Sequence, residues 1–232
     1  MPVGNVPLLE HWINLLWDAN IRKITVNTHY LSNHVNAFLE RPSYRNKIHS
    51  FHENQLLGTC GTLRSLCKNL SSTDVLVAHA DNWCHCDLGD FIRAHQESSA
   101  PITMMTFVSD NPSNCGILEI DKDGIVQRMH EKTENPPGNV ANGAVYIFRN
   151  EVFEWVKAHK NVTDISTGLI PQFYGKIKVW ENTRCHRDIG TFEELKRAQL
   201  DPEANNLSCI DDEWAHRFRD HPIQKLLSEN AH

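Results

Sequence analysis

Leu8, Leu9, Trp12, Ile13, Leu15 and Leu16 recur at helical spacing behind Pro7, a residue suited to a first helical turn, so the chain opens on a helix. β-Branched residues in partial alternation from Ile21 to Thr28 read as a strand, and Leu31 to Glu40 returns to helix ahead of Pro42. The alternation continues with a strand over Lys47 to His52, a helix over Gly58 to Asn69, a strand over Asp74 to His79, a helix over Leu88 to Glu97 and a strand over Ile102 to Val108. Strands alternating with helices of this length predict an α/β fold with a mostly parallel sheet and right-handed crossovers.

Beyond residue 110 the pattern changes. Cys115 to Asp121 and Gly124 to Glu131 flank Asp121-Lys122-Asp123-Gly124, a hairpin turn with glycine where a positive φ is wanted. A strand over Val140 to Phe148 follows, then a helix over Glu151 to His159 and a helical turn near Ser166 to Tyr174. A strand over Lys176 to Trp180 and a helix over Thr191 to Gln199 complete this half, which reads as an antiparallel insertion returning to the main sheet. Residues 1–200 therefore read as one domain, and 201–232 as a polar, charge-mixed tail with an amphipathic helix around Trp214 to Leu227.

Composition narrows the class. The 232 residues are 40% hydrophobic and 22% charged, enough to bury a full core. A formal net charge of -6 argues against a nucleic-acid coat and supplies no basic patch for membranes. Cysteines at 60, 67, 84, 86, 115, 185 and 209 are odd in number and scattered, as expected for reduced thiols in a cytoplasm. No apolar run is long enough to span a bilayer and no signal peptide is evident, so a cytoplasmic protein is expected.

The candidate chemistry centres on acids. Leu76-Val77-Ala78-His79-Ala80-Asp81 is an apolar run that stops on a carboxylate, and open α/β sheets bind ligands beyond the C-terminal ends of such strands. Asp188, ahead of Ile189-Gly190-Thr191, is set in a similar way, and the two acids meeting in one cleft could hold Mg²⁺ against a triphosphate. His79, Asp81, Cys84, His85 and Cys86 offer a competing zinc reading, although no second Cys/His pair stands at a recognised spacing.

Several segments together resemble, in order and spacing across residues 2 to 199, the sugar-1-phosphate nucleotidylyltransferases. They are Pro2 to Glu10 (PVGNVPLLE), Glu53 to Gly61 (ENQLLGTCG), Ala80-Asp81-Asn82, Cys115-Gly116, Glu131-Lys132, Asn142-Gly143 and Asp188-Ile189-Gly190-Thr191. The resemblance implies a Rossmann-like α/β fold with an antiparallel sugar-binding insertion. It implies transfer of a nucleotidyl group from an NTP to a sugar 1-phosphate, releasing pyrophosphate. By the same resemblance Asp81 and Asp188 hold Mg²⁺, Lys132 grips the sugar phosphate and Glu131 accepts from sugar hydroxyls. Gly116, Asn142 and Gly143 lie against the sugar ring, while Glu53 reads the base and Gly58 lets the backbone approach it. The Glu53 to Gly61 segment most resembles guanylyltransferases, which implies GTP with mannose 1-phosphate or a related sugar, and a role in nucleotide-sugar supply for polysaccharide. A homo-oligomer is compatible with this reading.

The chain also departs from the family. A glycine-rich loop of the form GGxGTRLxPLT and the early strand before it are expected ahead of Pro2, and the sequence begins past them. Without them two strand edges are expected to lie open and part of the phosphate site to be missing, which keeps a silent nucleotide-sugar-binding or regulatory subunit as the alternative. Ala80 replaces the glycine before the metal Asp, and Thr133 replaces the proline after Lys132.

Overall fold

The computed structural model describes residues 1–67 and 74–228, and the chain divides into two compact units. The first comprises Met1–Leu56, Ala80–Leu88 and the chain from Arg184 onward; the second comprises Leu57–His79 and Gly89–Thr183.

In the first unit, β1 (Pro2–Val3) and β2 (Val6–Pro7) form a hairpin whose turn residues Gly4 and Asn5 have φ of 53° and 65°, both in the left-handed region that tight hairpins require. Gly4 is doubly constrained, because a Cβ there would lie 1.8 Å from the carbonyl oxygen of Ala204. Helix α1 (Leu8–Asp18) follows, then the parallel pair β3 (Ile24–Thr28) and β4 (Ile48–His52), joined through α2 (Ser32–Leu39). Ile13, Ile24, Phe38, Leu39 and Tyr44 form the core of this unit.

The tail belongs to this core. Arg41, 4% exposed, donates to Glu10 Oε2 (2.5 Å) and Asp212 Oδ2 (2.8 Å), and its guanidinium stacks 4.9 to 5.2 Å from the Phe38, Tyr44 and Trp214 rings. Glu10, fully buried, uses its other oxygen to accept from the amide of Ile210 (2.6 Å).

The second unit contains α3 (Thr59–Leu66) and a six-stranded sheet. Lys68 and Asn69, the end of the helix expected over Gly58 to Asn69, lie outside the described residues. The sheet contains β5 (Val75–Ala78), and the next strand in the chain, β6 (Asn82–His85), belongs to the first unit. Further on come α4 (Leu88–Glu97), β7 (Ile102–Val108), β8 (Gly116–Ile120), β9 (Val126–Glu131) and β10 (Val140–Phe148). Helix α5 (Asn150–Ala158), two short helical turns and β11 (Ile177–Glu181) complete the unit. β10 is the spine: it pairs antiparallel with β7 on one side and with β5 and β8 in succession on the other, while β11 runs parallel to β7. Tyr146, Phe148, Val152, Phe153, Leu169 and Ile177 fill the core beside it.

The chain then re-enters the first unit through β12 (Cys185–Asp188), which pairs antiparallel with β6. Helix α6 (Phe192–Leu200) is capped by Thr191, whose hydroxyl accepts from the amide of Glu194. The tail helix expected around Trp214 to Leu227 is two helices, α7 (Glu213–Arg219) and α8 (Pro222–Ser228), since Pro222 can begin a helix but not continue one. The fold class is α/β with a mixed sheet flanked by helices, as expected.

The strand ahead of Asp81 differs from expectation in one respect. A strand covered on both faces is expected, yet all four residues of β5 are half-buried. Among the described residues β5 has a ladder partner on one edge only, β10, and β3 likewise pairs only with β4.

Because Arg41 neutralises a carboxylate with no access to water, Arg41→Met should destabilise the protein by about 3–5 kcal/mol. Adding Glu10→Gln should restore part of that loss. Urea unfolding of the single and double variants measures both effects.

Candidate active site

Asp81 and Asp188 both lie in the first unit, at the same end of the β6–β12 pair. β6 and β12 pair in the register Asp188↔Asn82, so Asp188 lies across the ladder from the residue that follows Asp81. Both acids are exposed. Asp188 Oδ1 accepts from the amide of Gly190 (2.8 Å), closing a tight turn in which a Cβ on residue 190 would sit 3.0 Å from the same oxygen.

The far edge of β6 is covered by α1. Trp12 Nε1 donates to the carbonyl of Asn82 (3.0 Å) and His11 Nε2 to that of Cys84 (2.6 Å), so side chains of a helix take the place of a neighbouring strand. Burial lowers the pKa of His11 to about 4, and its ring lies 4.5 Å from Trp83 and 6.2 Å from His85. β12 is anchored by Asp201, which accepts from Arg187 Nη2 and Nε at 3.0 and 3.2 Å and from Trp83 Nε1 at 3.0 Å. The hard oxygen donors of the two acids suit Mg²⁺, whose remaining positions are ordinarily filled by water and phosphate oxygens. Among the described residues no group of three or more His, Cys, Asp and Glu could hold a metal ion, and the Cys84 thiol pKa is pushed well up by its hydrogen bond with Cys86 and by burial. The zinc reading gains no support.

Glu53 lies past the end of β4 in the same unit, 4% exposed, with its amide on the carbonyl of Thr28 (2.8 Å) and its own carbonyl 2.7 Å from His29 Nδ1.

In the second unit three of the remaining candidates form one row. β9 and β8 pair Glu131 with Gly116, and the register of Ile117 with Ala141 sets Gly116 beside Asn142 on β10. Residues facing each other across a ladder share a face of the sheet, so Glu131, Gly116 and Asn142 line one surface. A Cβ on Gly116 would meet Glu131 Oε2 at 3.0 Å and Met129 Sδ at 3.1 Å: the missing side chain leaves room that Glu131 and Met129 lean over.

Strain gathers around this row. Lys132 and Ala144 adopt φ of 44° and 52°, and they are the only non-glycine residues with positive φ among the described residues of this unit. Lys132 is held there by the hydrogen bond its amide donates to the carbonyl of Cys115 (3.2 Å). A proline at position 133 would push Lys132 toward extended backbone; Thr133 permits the left-handed turn. Ala144 sits in a break of register on β10 between Asn142 and Tyr146. There Asn142 Oδ1 accepts from its amide (3.0 Å) and the amide of His79 donates to its carbonyl (3.1 Å). Gly143 passes so close to β7 that a Cβ would lie 3.0 Å from the carbonyl oxygen of Met105.

Gly58, also in this unit, has φ of 73°, and a Cβ there would lie 2.4 Å from the carbonyl oxygen of Thr163. Glycine is required here by backbone packing, whatever else it does. No sequence signal marks the site-side roles of His11, Trp12 and Asp201, because each acts through a partner far along the chain.

Both the family comparison and the solved structures agree with this architecture. Residues 1–205 match the family model described as nucleotidyl transferase. The chain belongs to the nucleotidyl transferase family, and its resemblance to the sugar-1-phosphate nucleotidylyltransferases holds. It is 24% identical over 205 residues to a mannose-1-phosphate guanylyltransferase of Mycobacterium tuberculosis, covering 87% of this chain and 57% of that protein. It is 22% identical over 205 residues to a putative mannose-1-phosphate guanyltransferase of Sulfolobus acidocaldarius, covering 87% of this chain and 56% of that one. The chain thus spans little more than half the length of these relatives.

Among solved structures, a putative glucose-1-phosphate thymidylyltransferase from Bacillus anthracis in complex with a sucrose superposes with a TM-score of 0.77 at 20% identity, covering 91% of this chain and 87% of that one. HddC from Yersinia pseudotuberculosis gives 0.71 at 23% identity, covering 84% of each chain.

The buried imidazole of His11 makes stability depend on pH. Its folded pKa of about 4 lies below the ordinary histidine value of 6.5, so the unfolded chain binds more protons between these limits and stability falls as pH drops through that window. The loss should be on the order of 3 kcal/mol. His85, whose pKa is also lowered by burial, adds to it in the same direction. Urea midpoints measured from pH 7.5 to 4.5 should decline less steeply for His11→Gln, which keeps a donor for the Cys84 carbonyl without a titrating ring.

Proposed function

We propose that this chain binds a nucleoside triphosphate and a sugar 1-phosphate and transfers the nucleotidyl group between them, with GTP and mannose 1-phosphate as the substrates. The observation that carries the reading is the row Glu131, Gly116, Asn142, edged by Lys132 and Ala144 in left-handed conformations. A carboxylate, an amide, an open glycine and an ammonium group are the features needed to hold a polyhydroxylated ring bearing a phosphate.

In this reading a phosphate oxygen of the sugar attacks the α-phosphorus in line and pyrophosphate leaves, so the protein supplies position and charge rather than a covalent partner. Lys132 offsets the charge of the sugar phosphate, Glu131 accepts from ring hydroxyls and the glycines let the substrate approach the backbone. Asp81 and Asp188 would hold Mg²⁺, which neutralises charge on the phosphates when bound. The buried carboxylate of Glu53 accepts from the ring N–H and amino group of guanine. The names of the mycobacterial and archaeal relatives favour GTP and mannose 1-phosphate, and the cytoplasm and a polysaccharide supply route are the setting that fits these substrates.

Calorimetric titration tests the proposal. Mannose 1-phosphate and Mg²⁺ with GTP should each bind saturably. Lys132→Ala should weaken the sugar phosphate, whereas Asp81→Asn and Asp188→Asn should remove most of the Mg²⁺-dependent part of GTP binding without changing Tm. If neither substrate binds, the reading falls.

Base choice has its own test. Glu53→Gln replaces an acceptor-only group with one that also donates, so the affinity ratio of GTP to UTP should fall by roughly tenfold or more. An unchanged ratio would remove Glu53 from base recognition.

A further inference from the structure

The amide of Asn142 has a fixed orientation, and its cause lies one turn of the strand away. The atom facing the amide of Ala144 must be an acceptor, since a backbone N–H donates; that atom is Oδ1, at 3.0 Å. Nδ2 therefore faces the other way and donates to the hydroxyl of Tyr146 at 2.8 Å, with Met129 Sδ a weaker acceptor at 3.7 Å. Tyr146 is fully buried, and its ring stacks 5.3 Å from Phe148, so the hydroxyl has no freedom to wander. Its oxygen accepts from Asn142, and the side chain of Ser166, in the helical turn Ile165–Leu169, is a second polar neighbour of the hydroxyl. A flipped Asn142 amide would set N–H against N–H at Ala144 and leave the tyrosine without its donor.

We propose that Tyr146 is a positioning residue for the sugar-binding face: through Asn142 it holds the break in β10 at Ala144 open in the shape that binds a sugar 1-phosphate. This deepens the function proposed above and rests on it. Tyr146 touches no substrate. It acts by selecting one of the two amide orientations of Asn142. Burial raises the tyrosine pKa to about 12, so the hydroxyl keeps its proton throughout the physiological range.

Tyr146→Phe keeps the ring and removes only the oxygen. Mannose 1-phosphate affinity, read by calorimetry, should fall about tenfold while GTP affinity stays unchanged. Hydrogen exchange at the amide of Ala144 should accelerate by a similar factor, with the amides of Ile147 and Phe148 unaffected. Ser166→Ala, which disturbs the hydroxyl from its other side and is far milder for the fold, should give a smaller loss of the same kind. A merely structural tyrosine would lower Tm and weaken both ligands together, and that result overturns the proposal. Equal mannose 1-phosphate affinity in wild type, Tyr146→Phe and Ser166→Ala overturns it too, leaving the proposed function intact. Wild-type protein that binds no mannose 1-phosphate defeats the functional reading first and this proposal with it.

Discussion

A strand with ladder bonds on both edges cannot bend or slide without breaking them, and β10 is such a strand. It joins β7 to β5 and β8, and the core of its unit packs on the side chains it projects. Its departure from regular pairing, between Asn142 and Tyr146, is therefore costly and must be held by something. The side chain of Asn142, the hydroxyl of Tyr146 and the amide of His79 supply the bonds that the ladder gives up there. Two residues beyond His79 in the chain is Asp81, so the strand segment that steadies the bulge also leads into one of the two candidate acids.

The two units solve different problems with different means. The second is a broad apolar core under a sheet, into which a few polar side chains such as Thr103 and Thr106 are admitted. The first is smaller and relies on a buried ion pair clasped by aromatic rings, with Glu10, Arg41 and Asp212 contributed by segments spread over about two hundred residues of sequence. Such an arrangement is specific rather than strongly stabilising, because desolvating the charges cancels much of their attraction. What it fixes is which stretch of tail lies against α1.

Much of this was legible in the sequence, for definite reasons. Helices and strands with strong local periodicity, such as Leu88–Glu97, Ile102–Val108 and Val140–Phe148, match the expected bounds. β6 and β12 escaped notice because Asn-Trp-Cys-His and Cys-His-Arg-Asp lack apolar alternation; each becomes a strand by pairing with the other about a hundred residues away. The candidate acids and glycines were recognisable as short motifs, whereas the residues that orient them were not. Nothing local distinguishes the tyrosine in Ala144-Val145-Tyr146 from an ordinary core aromatic until the break in pairing places its hydroxyl against Asn142. The left-handed turn at Lys132 was hidden for a similar reason, since it depends on a carbonyl of the neighbouring strand.

Among the described residues β3 and β5 each have one side without a ladder partner, which has a consequence for the chain in company. Backbone donors and acceptors along a strand edge will take any extended segment that offers itself, with little regard for its side chains. β5 presents Val75, Leu76, Val77 and Ala78 without a charge or proline to repel a newcomer. Crowding, slow synthesis or high expression thus favours promiscuous pairing between copies, and the yield of dispersed protein should be governed by how quickly that edge is covered rather than by the stability of either core.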